Sequence, residues 1–245
     1  MSYDFRAHRL FVEDNLSADA EIAADKSQAN YLLNVLRLKA GDAVHLFNGR
    51  DGEWRARIEP AGKRSCTLVA EQQLRAQTPH PDLHYLFAPL KHARLDYMVQ
   101  KAVEMGVGRL SPVITQFTQV SRINLQRMRA NVVEAAQQCG VLAIPQVDAP
   151  RELAEALDEW DAARRLIFCD EAAPAANPGE ALGRLKRGPA ALLVGPEGGF
   201  SEAERRDLLA RPYVTTLSLG PRILRADTAA VAALALVQSF IGDWR

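Results

Sequence analysis

Apolar and polar positions along the chain follow two rhythms. Up to about residue 75, short runs at 9–12, 43–47, 53–58 and 65–69 set apolar residues on alternate positions, which is the signature of half-buried strands. Asn48-Gly49 and Asp51-Gly52 punctuate them, since glycine reaches the positive φ that tight hairpin turns require. The segment 28–38 instead has helical spacing, with Tyr31, Leu32, Val35 and Leu36 on one face. A small β-barrel carrying one helix is predicted.

Pro79 and Pro81, set among polar residues over 75–82, interrupt the pattern and mark a boundary. Beyond it, apolar runs at 84–90, 109–115, 165–169, 190–194 and 215–219 alternate with helical spacing at 94–105, 121–139, 151–160, 180–186, 202–210 and 228–240. Alternation of this kind predicts an α/β domain with a mostly parallel sheet of about five strands and helices on both faces. Ser201 and Glu204 form a capping box at the start of one helix. The last helix is small and apolar almost all round, so it belongs in the core or beneath a second subunit.

Composition narrows the class without choosing a partner. The chain has 245 residues, enough for one large or two smaller domains, and its 30 basic and 30 acidic residues balance. Nucleic-acid binding by net charge alone is thereby excluded, while a local basic face is not. Cys66, Cys139 and Cys169 are scattered and show no C-x-x-C spacing, so buried thiols are expected and neither a disulfide framework nor a metal site. The first residues lack a basic-then-apolar leader pattern, and the longest apolar stretch, 229–237, is too short to span a bilayer. No membrane partner and a reducing, cytoplasmic setting are expected.

Two glycine-bearing segments carry the candidate chemistry: Leu193-Val194-Gly195-Pro196-Glu197-Gly198-Gly199-Phe200 and Leu217-Ser218-Leu219-Gly220-Pro221-Arg222-Ile223-Leu224-Arg225. Each follows an apolar run and precedes a helix, so both read as loops at the C-terminal ends of strands, where open α/β sheets bind ligands. Glu197 would repel a phosphate, and neither common nucleotide fingerprint is present. A neutral or cationic ligand fits better. The alternative is a tight turn with Glu197 directed to water.

Together with 35–42, 91–96, 100–106 and 134–140 followed by Pro145, these motifs resemble the 16S rRNA uridine-N3 methyltransferase family, RsmE, of the SPOUT class. The resemblance implies a PUA-like RNA-binding β-barrel over residues 1–75 and a SPOUT methyltransferase domain over 80–245 with a deep trefoil knot. It also implies a homodimer and S-adenosylmethionine as cofactor, held by Leu193, Gly195, Glu197, Gly198, Gly199, Leu217, Leu219, Gly220 and Leu224. Arg225 and Arg222 are the candidates for stabilising charge on the uridine carbonyls, and Asp227 for taking its N3 proton. A helix N-cap for Asp227 and a structural ion pair for Arg222 are the alternatives. For capture of 16S rRNA the candidates are Arg9, Arg37, Lys39, Lys91, Arg94 and Arg122, with Arg127, Arg129 and His92 beside them; a solvated surface is the blander account of each. Asp227, Gln137, Val141, Thr118, Tyr31 and Asn34 depart from the family pattern. Another SPOUT RNA methyltransferase, acting on a ribose 2′-hydroxyl or on tRNA, and a catalytically inactive RNA-binding homologue are the rival functions.

Overall fold

The computed structural model describes residues 6–62, 65–120, 122–174 and 176–244, with the side chain of His92 outside the description. The chain divides into two compact units, residues 1–79 with 136–144, and residues 80–135 with 145–245.

In the first unit the period-two runs become β1 (Arg9–Phe11), β3 (Ala43–Phe47), β4 (Glu53–Gly62) and β5 (Ser65–Arg75). A further short strand, β2 (Glu21–Ala23), precedes helix α1 (Lys26–Asn30). The ladder runs β1-β3-β4-β5-β2, antiparallel except for β1 against β3. Leu10 and Ile22, from strands at opposite ends of that ladder, share one core with Leu46, Ile58 and Leu68, so the sheet curls round its own interior. Asp25 caps α1 through a reciprocal pair with Gln28. The helix then widens into a π-helical turn (Tyr31–Val35), which ends with Arg37 at φ 58°.

One carboxylate organises the charge in this unit. Glu53 is fully buried and accepts hydrogen bonds from Arg9 Nε (3.1 Å) and Arg75 Nε, with His45 Nδ1 at 3.2 Å. Arg75 Nη2 also donates to the Gly140 carbonyl (3.0 Å), and Gln137 Oε1 accepts from Phe11 N–H (2.7 Å). These bonds tie 136–144 to the first unit and give Gln137, a departure from the family pattern, a structural task.

The second unit holds β6 (Leu83–Phe87), α2 (His92–Glu104), β7 (Arg109–Ile114), α3 (Leu125–Cys139), β8 (Gln146–Val147), β9 (Arg151–Glu152), α4 (Leu153–Asp158), β10 (Arg165–Cys169), α5 (Pro178–Gly183), β11 (Ala190–Val194), α6 (Glu202–Ala210), β12 (Val214–Leu217) and α7 (Ala226–Phe240). The end of α3 lies in the first unit. The sheet order is β12-β10-β11-β6-β7-β8, with β9 also on β7, and every pair is parallel. Every residue of β11 is buried, as expected of a strand covered on both faces. Helix α7 packs against α2, α5 and β11. Ala230, Ala233, Leu234 and Val237 are buried, but Val231, Ala232 and Leu236 are only half-buried. The helix starts at Ala226, two residues earlier than its apolar pattern alone predicts.

Candidate cofactor cleft

Three adjacent parallel strands, β12, β10 and β11, end at one cleft of about 770 Å³ open to solvent. Its walls are the segments that follow them, at 169–171, 194–197 and 217–226. Ligands of parallel sheets sit at such strand ends because the loops there are free of the packing that fixes the strands.

Local sequence shapes each wall. Gly199 turns back with its N–H on the Pro196 carbonyl (2.9 Å) at φ 71°, a conformation that costs glycine little. Ser201 then starts α6 with the expected capping box: Glu204 N–H donates to Ser201 Oγ (3.3 Å), and Ser201 N–H donates to Glu204 Oε2 (2.8 Å). The other oxygen of Glu204 accepts from Gln116 N–H (2.8 Å). Gly195 lies against the ring of Phe200, where an added β-carbon would come within 2.5 Å of a ring carbon. Gly220, at φ 96°, has open space where a side chain would project. Backbone strain, rather than crowding, selects glycine there.

The cleft is lined by apolar side chains, three carboxylates and Arg222. Val194, Leu217, Leu219, Leu224 and Ala229 supply the apolar surface, and Asp170, Glu171 and Glu197 the carboxylates. Asp170 is buried and bonded by Arg205 Nε (3.1 and 3.0 Å). Glu197 is 3.4 Å from Arg94 Nη1. Burial and the neighbouring Asp170 push the Glu171 carboxyl above its usual pKa. Burial also pushes the Cys169 thiol up to about 12, so at neutral pH it is an uncharged, unreactive part of the wall. A ligand with an apolar body and a positive centre matches these surroundings, and a phosphate does not.

Seven of the residues singled out in the sequence meet here: Gly195, Glu197, Leu217, Leu219, Gly220, Arg222 and Leu224. Leu193 does not. Side chains alternate along a strand, so with Val194 on the cleft Leu193 points into the core beside Leu86, Phe168 and Leu208. Gly198 faces Phe117, whose Cβ would lie 3.2 Å from an added β-carbon, and Gly199 faces the carboxyl of Glu171. Arg225 is the exposed N-cap residue of α7, between Leu224 and Ala226 of the cleft wall. Asp227 is therefore not the N-cap. It sits in the first turn, where its Oδ1 accepts from Thr228 N–H (2.9 Å). Asp170 and Glu171 escaped the sequence reading, although the strand-end rule applied to the other two loops points equally to the residues after β10.

The basic candidates separate as well. Arg37 and Lys39 are exposed in the first unit, and Lys91 and Arg122 in the second. Arg94 pairs with Glu197. Arg9 is withdrawn from RNA contact by burial against Glu53, a partner 44 residues away that no local pattern reveals. Arg127 is likewise held by Asp96 of α2 (Nη2 to Oδ2, 2.6 Å), and Asn131 donates to the same carboxylate (2.7 Å). Thr118, another departure from the family pattern, closes a turn by accepting Thr115 N–H on Oγ1 (2.9 Å). Among the described residues no group of three or more His, Cys, Asp or Glu is placed to hold a metal ion, and no helix is long and apolar enough to cross a membrane.

The sequence between 77 and 238 matches the family model of the RNA methyltransferase domain, and 24–71 matches that of the RNA methyltransferase PUA domain. The chain belongs to the RNA methyltransferase family. Among its relatives, ribosomal RNA small subunit methyltransferase E of Rickettsia conorii is 29% identical over 233 residues, 94% of this chain and 95% of the relative. The crystal structure of ribosomal RNA small subunit methyltransferase E from Neisseria gonorrhoeae bound to S-adenosyl methionine superposes with a TM-score of 0.85 at 27% identity, covering 98% of this chain and all of that one. The structure of a Legionella pneumophila protein in complex with the bound cofactor SAM gives 0.83 at 28% identity, covering 96% of this chain and 98% of that one. The resemblance read from the motifs, and with it the α/β fold with a parallel sheet and a PUA-like first unit, is borne out.

Proposed function

We propose that this RNA methyltransferase transfers a methyl group from S-adenosylmethionine to N3 of a uridine in 16S rRNA. The observation that carries the reading is the convergence of the loops after β10, β11 and β12 on one cleft lined by apolar side chains and carboxylates. The names of the relatives supply the substrate. Leu217, Leu219 and Leu224 offer a wall for a purine, Gly195 and Gly220 let backbone approach it closely, and Glu197 can accept from a hydroxyl or ammonium group. When bound, S-adenosylmethionine supplies an electrophilic methyl group on a sulfonium.

The protein's own residues would prepare the acceptor. Uridine N3 carries a proton between two carbonyls, and the negative charge left by its departure spreads onto those oxygens. Arg225 and Arg222, exposed on the loop that borders the cleft, are the donors suited to that charge. Asp227 can take the proton, since an ionised carboxylate retains acceptor sites beyond the one used by Thr228 N–H. Arg37, Lys39, Lys91 and Arg122 would hold phosphates without reading sequence.

A second copy of the chain would cover the half-buried face of α7 in a homodimer working in the cytoplasm. The loops at 194–199 and 217–226 would form the trefoil knot that the resemblance implies. Incubation of labelled S-adenosylmethionine with small subunits lacking the modification should yield 3-methyluridine on nucleoside mass spectrometry. A ribose-methylated product would overturn the assignment to N3, and sedimentation as a monomer the assembly.

A further inference from the structure

Three carboxylates line the cleft, and their partners set them apart. Asp170 is matched by Arg205 and Glu197 by Arg94. For Glu171 no hydrogen bond or ion pair is present among the described residues, Arg222 included. Its position is nonetheless defined, because its carboxyl is lodged against Gly199, where a β-carbon would overlap Oε1. Glycine at 199 thus serves both the positive φ and the approach of this carboxylate to the 194–199 loop. The charges nearest Glu171 in the ligand-free protein are unfavourable: Asp170 and partial burial both raise its pKa. A carboxylate seated in a binding cleft without a counter-charge gains most from a ligand that brings one.

We infer that Glu171 is the counter-charge by which the cleft prefers the cationic cofactor to its neutral product. The inference rests on the reading of the cleft as the S-adenosylmethionine site. In the transfer the sulfur–methyl bond breaks with its electron pair left on sulfur, the acceptor nitrogen's pair forms the new carbon–nitrogen bond, and the acceptor's proton leaves to a base. A thioether without charge remains, and Glu171 loses its partner, which favours release. The ammonium group, present before and after, is a less fitting partner. It carries three donors that call for several acceptors, whereas a sulfonium makes no such bonds and needs only nearby negative charge.

Calorimetric titration of the full chain with S-adenosylmethionine and with S-adenosylhomocysteine tests this directly. Glu171→Gln should weaken the first roughly tenfold and the second by less than about twofold, as expected of one partly solvated charge contact. Glu171→Asp, which keeps the charge on a shorter arm, should show an intermediate ratio. The ligand-free Gln variant should melt no lower than the native protein, because it loses a repelled carboxylate and no bond. Equal weakening of both ligands, or of neither, overturns the inference. Failure of the native protein to bind either ligand overturns the cofactor reading itself, and this inference with it.

Discussion

Glu53 in the first unit and Glu171 in the second are carboxylates at strand ends, yet the two units treat them in opposite ways. Glu53 is fully buried, with two arginines and a histidine gathered on it from β1, β3 and β5. Glu171 stands at an open cleft and, among the described residues, forms no ion pair. A buried charge must be matched within the fold, because desolvation costs several kcal/mol per ion. A charge at the mouth of a cleft can wait for a ligand, since water still screens it. The contrast distinguishes structure from function better than residue type does. Arg9 has the chemistry of an RNA contact and Glu171 that of an idle surface acid, and their surroundings reverse both readings.

The most damaging way to break this contrast is Glu53→Gln, which replaces the carboxylate that Arg9 and Arg75 share with a neutral amide. Stability should fall by about 3–5 kcal/mol, as when one side of a buried ion pair is removed, and urea unfolding followed by fluorescence would measure it. Affinity for S-adenosylmethionine at temperatures where the variant is folded should stay within about twofold of native. A loss of affinity equal to the loss of stability would mean that the cluster belongs to the site after all.

Arg225→Ala acts on the other side of the comparison. Its side chain is exposed and makes no cap hydrogen bond, so stability should hardly change, while kcat should drop by roughly 10²-fold, about 3 kcal/mol, if it stabilises charge in the transition state. Cofactor affinity should remain within about threefold. A rise in KM with kcat preserved would instead assign it to substrate binding. Gly220→Val comes next, at about 1–3 kcal/mol of strain for a branched residue at φ 96°. Because nothing crowds that position, the penalty should appear as weaker cofactor binding through a displaced loop. Unaltered binding would show that the loop tolerates another conformation.

These effects depend on features that the sequence reveals unevenly. The parallel sheet was legible because β6, β7, β10, β11 and β12 are apolar runs separated by helical spacing, and the capping box of Ser201 because its two members are three residues apart. Strands β8 and β9, at two residues, are too short to display a period, and β2 buries a single residue, Ile22. Of the cleft, the two glycine loops were visible, since glycine, proline and charge punctuate them. The facing of Leu193 into the core was not, because it depends on which side of β11 the cleft opens. Nor was the burial of Arg9 or the capture of Arg127 by Asp96, as each partner lies more than thirty residues away in sequence. Local pattern carries the fold. Long-range pairing decides which charges are free to act.

The smallest effect sharpens the contrast most, because it separates two basic residues of the same unit. Lys39→Ala removes an exposed charge, so the protein should keep its stability and lose less than about 1 kcal/mol in affinity for a 16S rRNA fragment, with the dependence of binding on salt reduced by about one released ion. Arg9→Ala should do the reverse. It takes one cationic partner from Glu53 and lowers stability, but the salt dependence of the folded protein should match the native value, since a residue that never meets a phosphate releases no counterion. Both quantities come from the same filter-binding series at several salt concentrations with parallel melting curves. If Arg9→Ala flattened the salt dependence while leaving the melting temperature unchanged, Arg9 would be an RNA ligand, and the division between matched and waiting charge would fail in the unit where it is drawn most sharply.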